Sequence, residues 1–380
     1  MAINLRSPYY VEIEDSDIDY SILELYIWSG ALEDAPLIPQ YVLKKYAITK
    51  DDNTIYEISE LIRDYLDITF ENTYDANQVL YYKTDIRAYE SDGTEIVTET
   101  ETSFAFDGYS YFEENNFDVE DNPLMISNRE IFALADNLVR IPINTKNNPT
   151  ITFFKNGNVV NSFTYTSSAD TEDQIRYITL GGQTDDDSYI DRILSADGGV
   201  YEENKCIKAF LDEYEIGEVD EIRVSDDNVQ LETIKVKTLE ECKYDPKKVT
   251  FINKFGALQD MYFFKKSVEK MNVKKETYKS NIISGGTYNR THHVNREFNV
   301  VGKESITLSS GYLSEEYNEV FKQLLLSEKV WLTNLTDTEE QVLPINVKTS
   351  NITYKTSLND RLVEYTFDFD NSFDTINNIR

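Results

Sequence analysis

The residue types able to do chemistry are thinly spread along this 380-residue chain, and their spacing decides what each can do. The two histidines, His292 and His293, are adjacent. On a strand, neighbouring side chains point to opposite faces, so this pair does not clamp one metal ion, and no third His or Cys ligand stands near it. Packed or exposed imidazoles are the expectation, and any Ser/His or Cys/His nucleophilic pair would have to use this one tandem. Asp185-Asp186-Asp187 with Asp191 offers the oxygen ligands calcium takes, but the glycine at position six and the closing glutamate of a helix-loop-helix calcium loop are missing. The expectation is an acidic surface turn, with an irregular cation site as the alternative. Gly285-Gly286 and Gly198-Gly199 fit neither a phosphate-cradling loop nor a dinucleotide fingerprint and read as turns. Cys206 and Cys242 stand alone, which fits a reducing compartment and disfavours structural zinc. With 69 acidic residues, the paired carboxylates of glycoside hydrolysis are available everywhere and therefore diagnostic nowhere. No metal or cofactor is expected, and the chain is not expected to be an enzyme.

Charge says more about partners than about catalysis. The net charge is −32, which argues against a surface that grips nucleic acid or an anionic membrane as a whole, because both need cations to meet phosphates. No run of about 18 apolar residues is present to span a bilayer, and residues 1–10 lack the charged-then-apolar order of a secretion signal. The expectation is a protein that is not exported. Resolved along the chain, residues 1–120 carry −20, 121–245 carry −13, 246–300 carry +7 and 301–380 carry −6. In the basic block, Lys247, Lys248, Lys254, Lys265, Lys266, Lys270, Lys274, Lys275 and Lys279 are interleaved with Phe251, Phe255, Tyr262, Phe263, Phe264 and Tyr278. Single-strand nucleic-acid binders use such a mixture; an ordinary solvated face and a protein interface are the other two readings. The interface is favoured, because a basic stripe on an acidic molecule is complementary to another copy of the same molecule. Its candidate residues are Lys254, Lys265, Lys266, Lys270, Lys274 and Lys275. Under this reading, charge reversal at Lys265, Lys266, Lys274 and Lys275 abolishes assembly.

The elements that must position these residues are mostly strands. Twenty-seven Tyr and 19 Phe against 14 Gly and 8 Pro favour pleated, half-buried surfaces. Val363, Tyr365, Phe367 and Phe369 alternate with Glu364, Thr366, Asp368 and Asp370, a strand with one buried face. Asn156-Gly157, Asp92-Gly93 and Asp226-Asp-Asn228 each separate two strand-like runs, the pattern of hairpins. Three helices are expected, over 59–66 with Leu61, Ile62 and Tyr65 inward, over 204–213, and over 314–328. The last is capped by Ser314 and striped by Tyr317, Phe321, Leu324 and Leu325. Pro344 predicts an edge or strand-initial position. The fold class is therefore all-β, as consecutive β-sandwich domains over 1–108, 109–246 and 247–380, the last with an amphipathic helix packed on its sheet.

Val249-Thr-Phe-Ile-Asn-Lys-Phe-Gly-Ala257, leading into Met261-Tyr-Phe-Phe-Lys-Lys-Ser267, resembles a strand-and-turn motif of virion proteins of tailed bacteriophages. Leu324-Leu-Leu-Ser-Glu-Lys-Val-Trp-Leu332, Leu343-Pro-Ile-Asn-Val-Lys348, the run from Tyr354 to Thr366, and Asp374-Thr-Ile-Asn-Asn-Ile-Arg380 are similar to such proteins, particularly those of crAss-like and related phages of Bacteroidetes hosts. The 58–66 segment fits the N-terminal part of that group, and the resemblance covers about half the chain. It implies a tail-tube or hub-like last domain and a ring, hub, baseplate or connector layer of the tail. Copies of the chain would sit around the tail axis with other virion proteins as partners, assembled in the host bacterial cytoplasm. It carries over no catalytic residue. A receptor- or carbohydrate-binding module at the tail tip is the alternative, because Tyr faces stack on sugars. A polysaccharide-degrading enzyme is a third reading, and the absence of an internal repeat speaks against it. Membrane and nucleic acid are not expected partners.

Overall fold

The computed structural model describes residues 2–376 except positions 16 and 31 and the stretches 48–52, 71–77, 115–121, 134–138, 145–147, 165–174, 181–205, 209–218, 226–230, 240–242, 336–339 and 354–361. Among the described residues the fold is all-β, with many sheets and two α-helices.

The first strands are β1 (Ile3–Asn4), β2 (Tyr10–Ile13), β3 (Tyr20–Trp28), β4 (Tyr41–Tyr46) and β5 (Thr54–Glu57), followed by α1 (Ser59–Arg63), β6 (Val79–Tyr89) and β7 (Glu95–Phe106). They form a five-stranded sheet ordered β1-β7-β6-β3-β4 and a β2-β5 pair. Along β3 the pleat sends Ser21, Leu23, Leu25 and Ile27 into the core and leaves Tyr20, Ile22, Glu24 and Tyr26 on the outer face. The β2-β5 pair and α1 cover the inner face, where Ile13, Tyr56, Ile58 and Ile62 join Leu23, Leu25, Leu80, Tyr82 and Ile86 in one cluster. The buried Ser21 hydroxyl is satisfied by Thr54 at 2.5 Å and Tyr56 at 2.8 Å. α1 is shorter than the expected 59–66 because its end tightens: Tyr65 N–H bonds to Ile62 O and Leu66 N–H to Arg63 O. Ile62 is buried and Leu61 partly so, while Tyr65 turns outward to meet Tyr41 edge-on. Asp92-Gly93 does separate two paired strands, with Gly93 at φ +88°.

Next come β8 (Glu130–Ala133), β9 (Val139–Asn144), β10 (Thr150–Lys155), β11 (Asn158–Thr164), β12 (Ile175–Leu180), β13 (Cys206–Lys208), β14 (Glu221–Ser225) and β15 (Leu231–Thr238). Two sheets result, ordered β11-β10-β14-β15-β8 and β13-β12-β9. Asn156 and Gly157, at φ +50° and +77°, make the two-residue turn between β10 and β11. β14 and β15 pair as expected, and the Asp226-Asp-Asn228 turn between them lies outside the described residues. The helix expected over 204–213 is corrected at its start. Cys206-Ile207-Lys208 pairs in parallel with Tyr177-Ile178-Thr179, and a ladder partner overrides a weak helical stripe.

The last elements are β16 (Lys247–Ile252), β17 (Leu258–Phe263), β18 (Val268–Lys279), β19 (Ile283–Ser284), β20 (Thr287–Tyr288), β21 (Asn295–Ser309), β22 (Leu313–Ser314), α2 (Tyr317–Leu326), β23 (Val330–Leu335), β24 (Glu340–Val347), β25 (Leu362–Val363) and β26 (Thr366–Asn371). The sheet order is β17-β16-β23-β24-β26-β21-β18, with β19-β20 and β22-β25 as separate pairs. The alternation read near the C-terminus is present: Val363, Phe367 and Phe369 are buried and Glu364, Thr366 and Asp368 exposed. Phe263 meets Phe367 and Phe369 edge-on at 5.9 and 6.1 Å. α2 buries Tyr317, Phe321 and Leu324 together with Val320, and Leu325 only in part. Ser314 does not cap it, because Ser314 is spent in β22, paired with Leu362. Pro344 lies inside β24 rather than at an edge. The strand tolerates it because pairing with β26 begins only at Ile345, so at Pro344 no ladder bond on that side is lost.

Strand-to-strand pairing stays within residues 1–108, 109–246 and 247–380, while close packing divides the chain into two units. The first is Met1–Glu240 with Thr250–Met261 and Glu319–Ser327, and the second is Glu241–Val249, Tyr262–Asn318 and Glu328–Arg380. Thr250–Met261 and Glu319–Ser327, from late in the chain, are built into the first unit through buried polar contacts such as that of Asn253 with Met125 O.

Candidate functional site

Five of the six interface lysines fall together. Lys265 and Lys266 precede β18, and Lys270, Lys274 and Lys275 lie on it. All twelve residues of β18 are exposed, and so is the first part of β21 that pairs with it. The two strands make a ribbon, interrupted by a bulge where Asn299 takes φ +49°. Strand alternation sorts the lysines, placing Lys270 and Lys274 on one face and Lys275 on the other, where it bonds Glu297 at 2.6 Å. The Lys270 face also carries Tyr278, packed edge-on against Phe298. At the ribbon's far end Gly285 and Gly286, both at positive φ, turn β19 into β20, as their spacing predicts. His292 and His293 are exposed beside it. No cluster of three metal-ligating side chains exists among the described residues; the Asp185 to Asp191 group, Gly198-Gly199 and Cys242 lie outside them.

Lys254 does not belong to this surface. It sits in the turn between β16 and β17, 5% exposed, with its ammonium paired to Glu114 and 4.7 Å from the Tyr111 ring centroid. The aromatic side chains interleaved with the lysines are likewise internal: Phe251, Phe255, Tyr262, Phe263 and Phe264 are buried, and only Tyr278 is exposed. A stripe that binds single-stranded nucleic acid needs its rings free to stack on bases, so the sequence mixture that raised this reading is a core pattern with exposed lysines beside it.

The turn itself is the feature that residue counting missed. Asn253 is fully buried, and its side chain makes four bonds. Its Oδ1 accepts from Phe255 N–H at 2.9 Å and Ala257 N–H at 3.1 Å, and its Nδ2 donates to Met125 O at 2.7 Å and Gln259 Oε1 at 3.1 Å. Gln259 in turn donates to Asn128. Gly256, at φ +78°, presses on the chain after β7 so closely that an added Cβ would lie 2.9 Å from Asp107 N, Gly108 N and Phe106 Cβ. Lys254 O accepts from Tyr109 N–H at 2.9 Å. The sequence Phe251-Ile-Asn-Lys-Phe-Gly-Ala257 is thus a backbone clasp and holds no reactive group.

Around the clasp, α2 adds charge. Tyr111 donates to Glu319, Lys322 stands 3.3 Å over the Tyr111 ring, and Gln323 donates to Ser127 at 2.6 Å. Burial, with Glu319 beside it, holds the Tyr111 phenol protonated well above its ordinary range. Burial alone would raise the Glu114 carboxyl, but bonds from Lys254 and from Tyr111 N–H outweigh it and hold Glu114 below the usual glutamate value of 4.5. A depressed carboxyl contributes stability above its unfolded value and loses it as pH falls through the folded one. Glu114→Gln is therefore expected to melt below the native protein at pH 7, with the difference closing as pH falls below 4.5; melting curves at pH 7, 5, 4 and 3 check this.

The outer face of the first sheet bears the tyrosines that a sugar reading would use. Tyr20 stacks on Tyr89 at 4.9 Å, and the Lys44 ammonium stands 3.7 Å from the Tyr20 centroid and 4.6 Å from that of Tyr46. These rings are engaged with each other and with a lysine. No helix of the described residues is long and apolar enough to cross a membrane. Comparison with models of protein families and with curated proteins finds no match for this chain.

Proposed function

We propose that the chain is a non-enzymatic structural component of a tailed-phage virion, forming a ring, hub or connector layer through multi-copy assembly. The observation that carries this reading is the β18-β21 ribbon. Beyond the part of β21 paired with β26 the ribbon is two-stranded, an arrangement marginally stable in water by itself, and it exposes Met271, Val273, Tyr278 and Phe298 beside its lysines, as the adjoining β19-β20 pair exposes Ile283 and Tyr288. Such a surface suits a partner. The phage-like motifs support the setting, since they account for the clasp and the last sheet, which are structural. The tail-tip sugar-binding alternative draws less support, because Tyr20, Tyr46 and Tyr89 on the outer face are already packed on one another and on Lys44.

The test is electron cryo-microscopy of intact particles from a phage encoding the chain, with the density traced. Several copies around the tail axis are the expected result; a cytosolic monomer absent from purified particles overturns the reading.

A further inference from the structure

The exposed ribbon ends in an open strand edge, and the first sheet has another. Among the described residues β18 is the terminal strand of its sheet, bonded to β21 alone. β7 is bonded to β6 along its length, but β1 covers it only at Ala105 and Phe106. Among the described residues its outer edge over 95–100 faces no strand, and Glu95, Thr98, Glu99 and Thr100 are exposed. Open edges invite pairing with another chain. The two edges match in charge: residues 268–300 carry six basic and three acidic side chains, a net of +3 against −35 for the rest of the chain. Lys270 and Lys274 share one face of β18, and a bulge between Glu95 and Val97 puts Glu95 and Glu99 on opposite faces of β7, so the β7 edge carries acidic side chains on both faces.

We propose that β18 of one copy adds edge-to-edge to β7 of a second copy, setting the lysine-bearing strand with Lys270 and Lys274 beside the acidic stretch with Glu95 and Glu99. Backbone ladder bonds supply the adhesion, and the opposite charges of the two edges select the partner. The contact joins two different surfaces, so it repeats head to tail and closes into a ring or continues as a filament. It rests on the assembly reading above and names the partner surface of the ribbon.

Three full-length proteins test it by sedimentation and mass photometry: the native chain, K270E/K274E and E95K/E99K, with circular dichroism as the folding check. The native chain is expected to assemble with rising concentration. Each variant alone, with like charges on both edges, is expected to assemble at least tenfold more weakly. An equimolar mixture of the two variants is expected to regain native assembly, because each variant's edge then meets the other's opposite charge. A native chain monomeric at about 100 μM, variants that assemble like the native chain, or a mixture that stays dissociated each overturn the proposal. The virion reading is judged separately by the presence of the chain in particles.

Discussion

Gly256→Ala is expected to destabilise the first unit by about 3–5 kcal/mol, adding the cost of a left-handed backbone for a residue with a Cβ to that of overpacking. The left-handed φ is only part of the effect. Gly157 has almost the same φ, +77°, yet an added Cβ there meets nothing within 4 Å, so Gly157→Ala is expected to cost about 1 kcal/mol. At Gly256 the new methyl would strike backbone atoms of Asp107 and Gly108, which have no rotamer to escape into. For a unit of this size the drop corresponds to roughly 10 °C in melting temperature. Equal losses in the two variants would refute the close approach as the cause.

Asn253→Ala is the second large effect, expected at about 3–5 kcal/mol, because it strands two N–H donors and two acceptors in a buried site at once. Asn253→Asp separates the acceptor role from the donor role. It keeps the bonds from Phe255 and Ala257 but turns a carboxylate oxygen toward Met125 O and Gln259 Oε1. Burial beside two acceptors raises the folded value of such a carboxyl above its unfolded value. The folded state then takes up its proton first, so stability relative to the native chain should recover as pH falls through the raised value. Urea midpoints at pH 7.5 and 5 measure this: the deficit of Asn253→Asp should narrow, and that of Asn253→Ala should stay constant.

The parts of the fold legible in the sequence are those governed by neighbours in the chain. The Asn156-Gly157 turn and the alternation through Phe367 and Phe369 are local rules of φ and of pleat, and both are present. What the sequence concealed is set by distant partners. Cys206-Ile207-Lys208 is a strand because β12 lies beside it, and Ser314 is spent in β22 rather than capping α2. Lys254 reads as surface charge until Glu114 and Tyr111, about 140 positions earlier, close over it. Lys270, Lys274 and Lys275 could be read as exposed from their polarity. Their division between two faces needed the strand register. The clasp offered one faint signal, a Gly two residues after an Asn-Lys pair at the end of an apolar strand, and nothing in it says what Asn253 would hold.

The two late segments built into the first unit also impose an order on synthesis. Thr250–Met261 and Glu319–Ser327 are integral to that unit, so its core cannot close when Glu240 leaves the ribosome. At roughly 5–20 residues per second, the remaining stretch to Ser327 takes about 4–17 s. Through that interval the nascent chain carries an unclasped segment after β7 and an acidic open edge on the same strand, a window in which premature pairing between neighbouring nascent chains is opposed by their like charge.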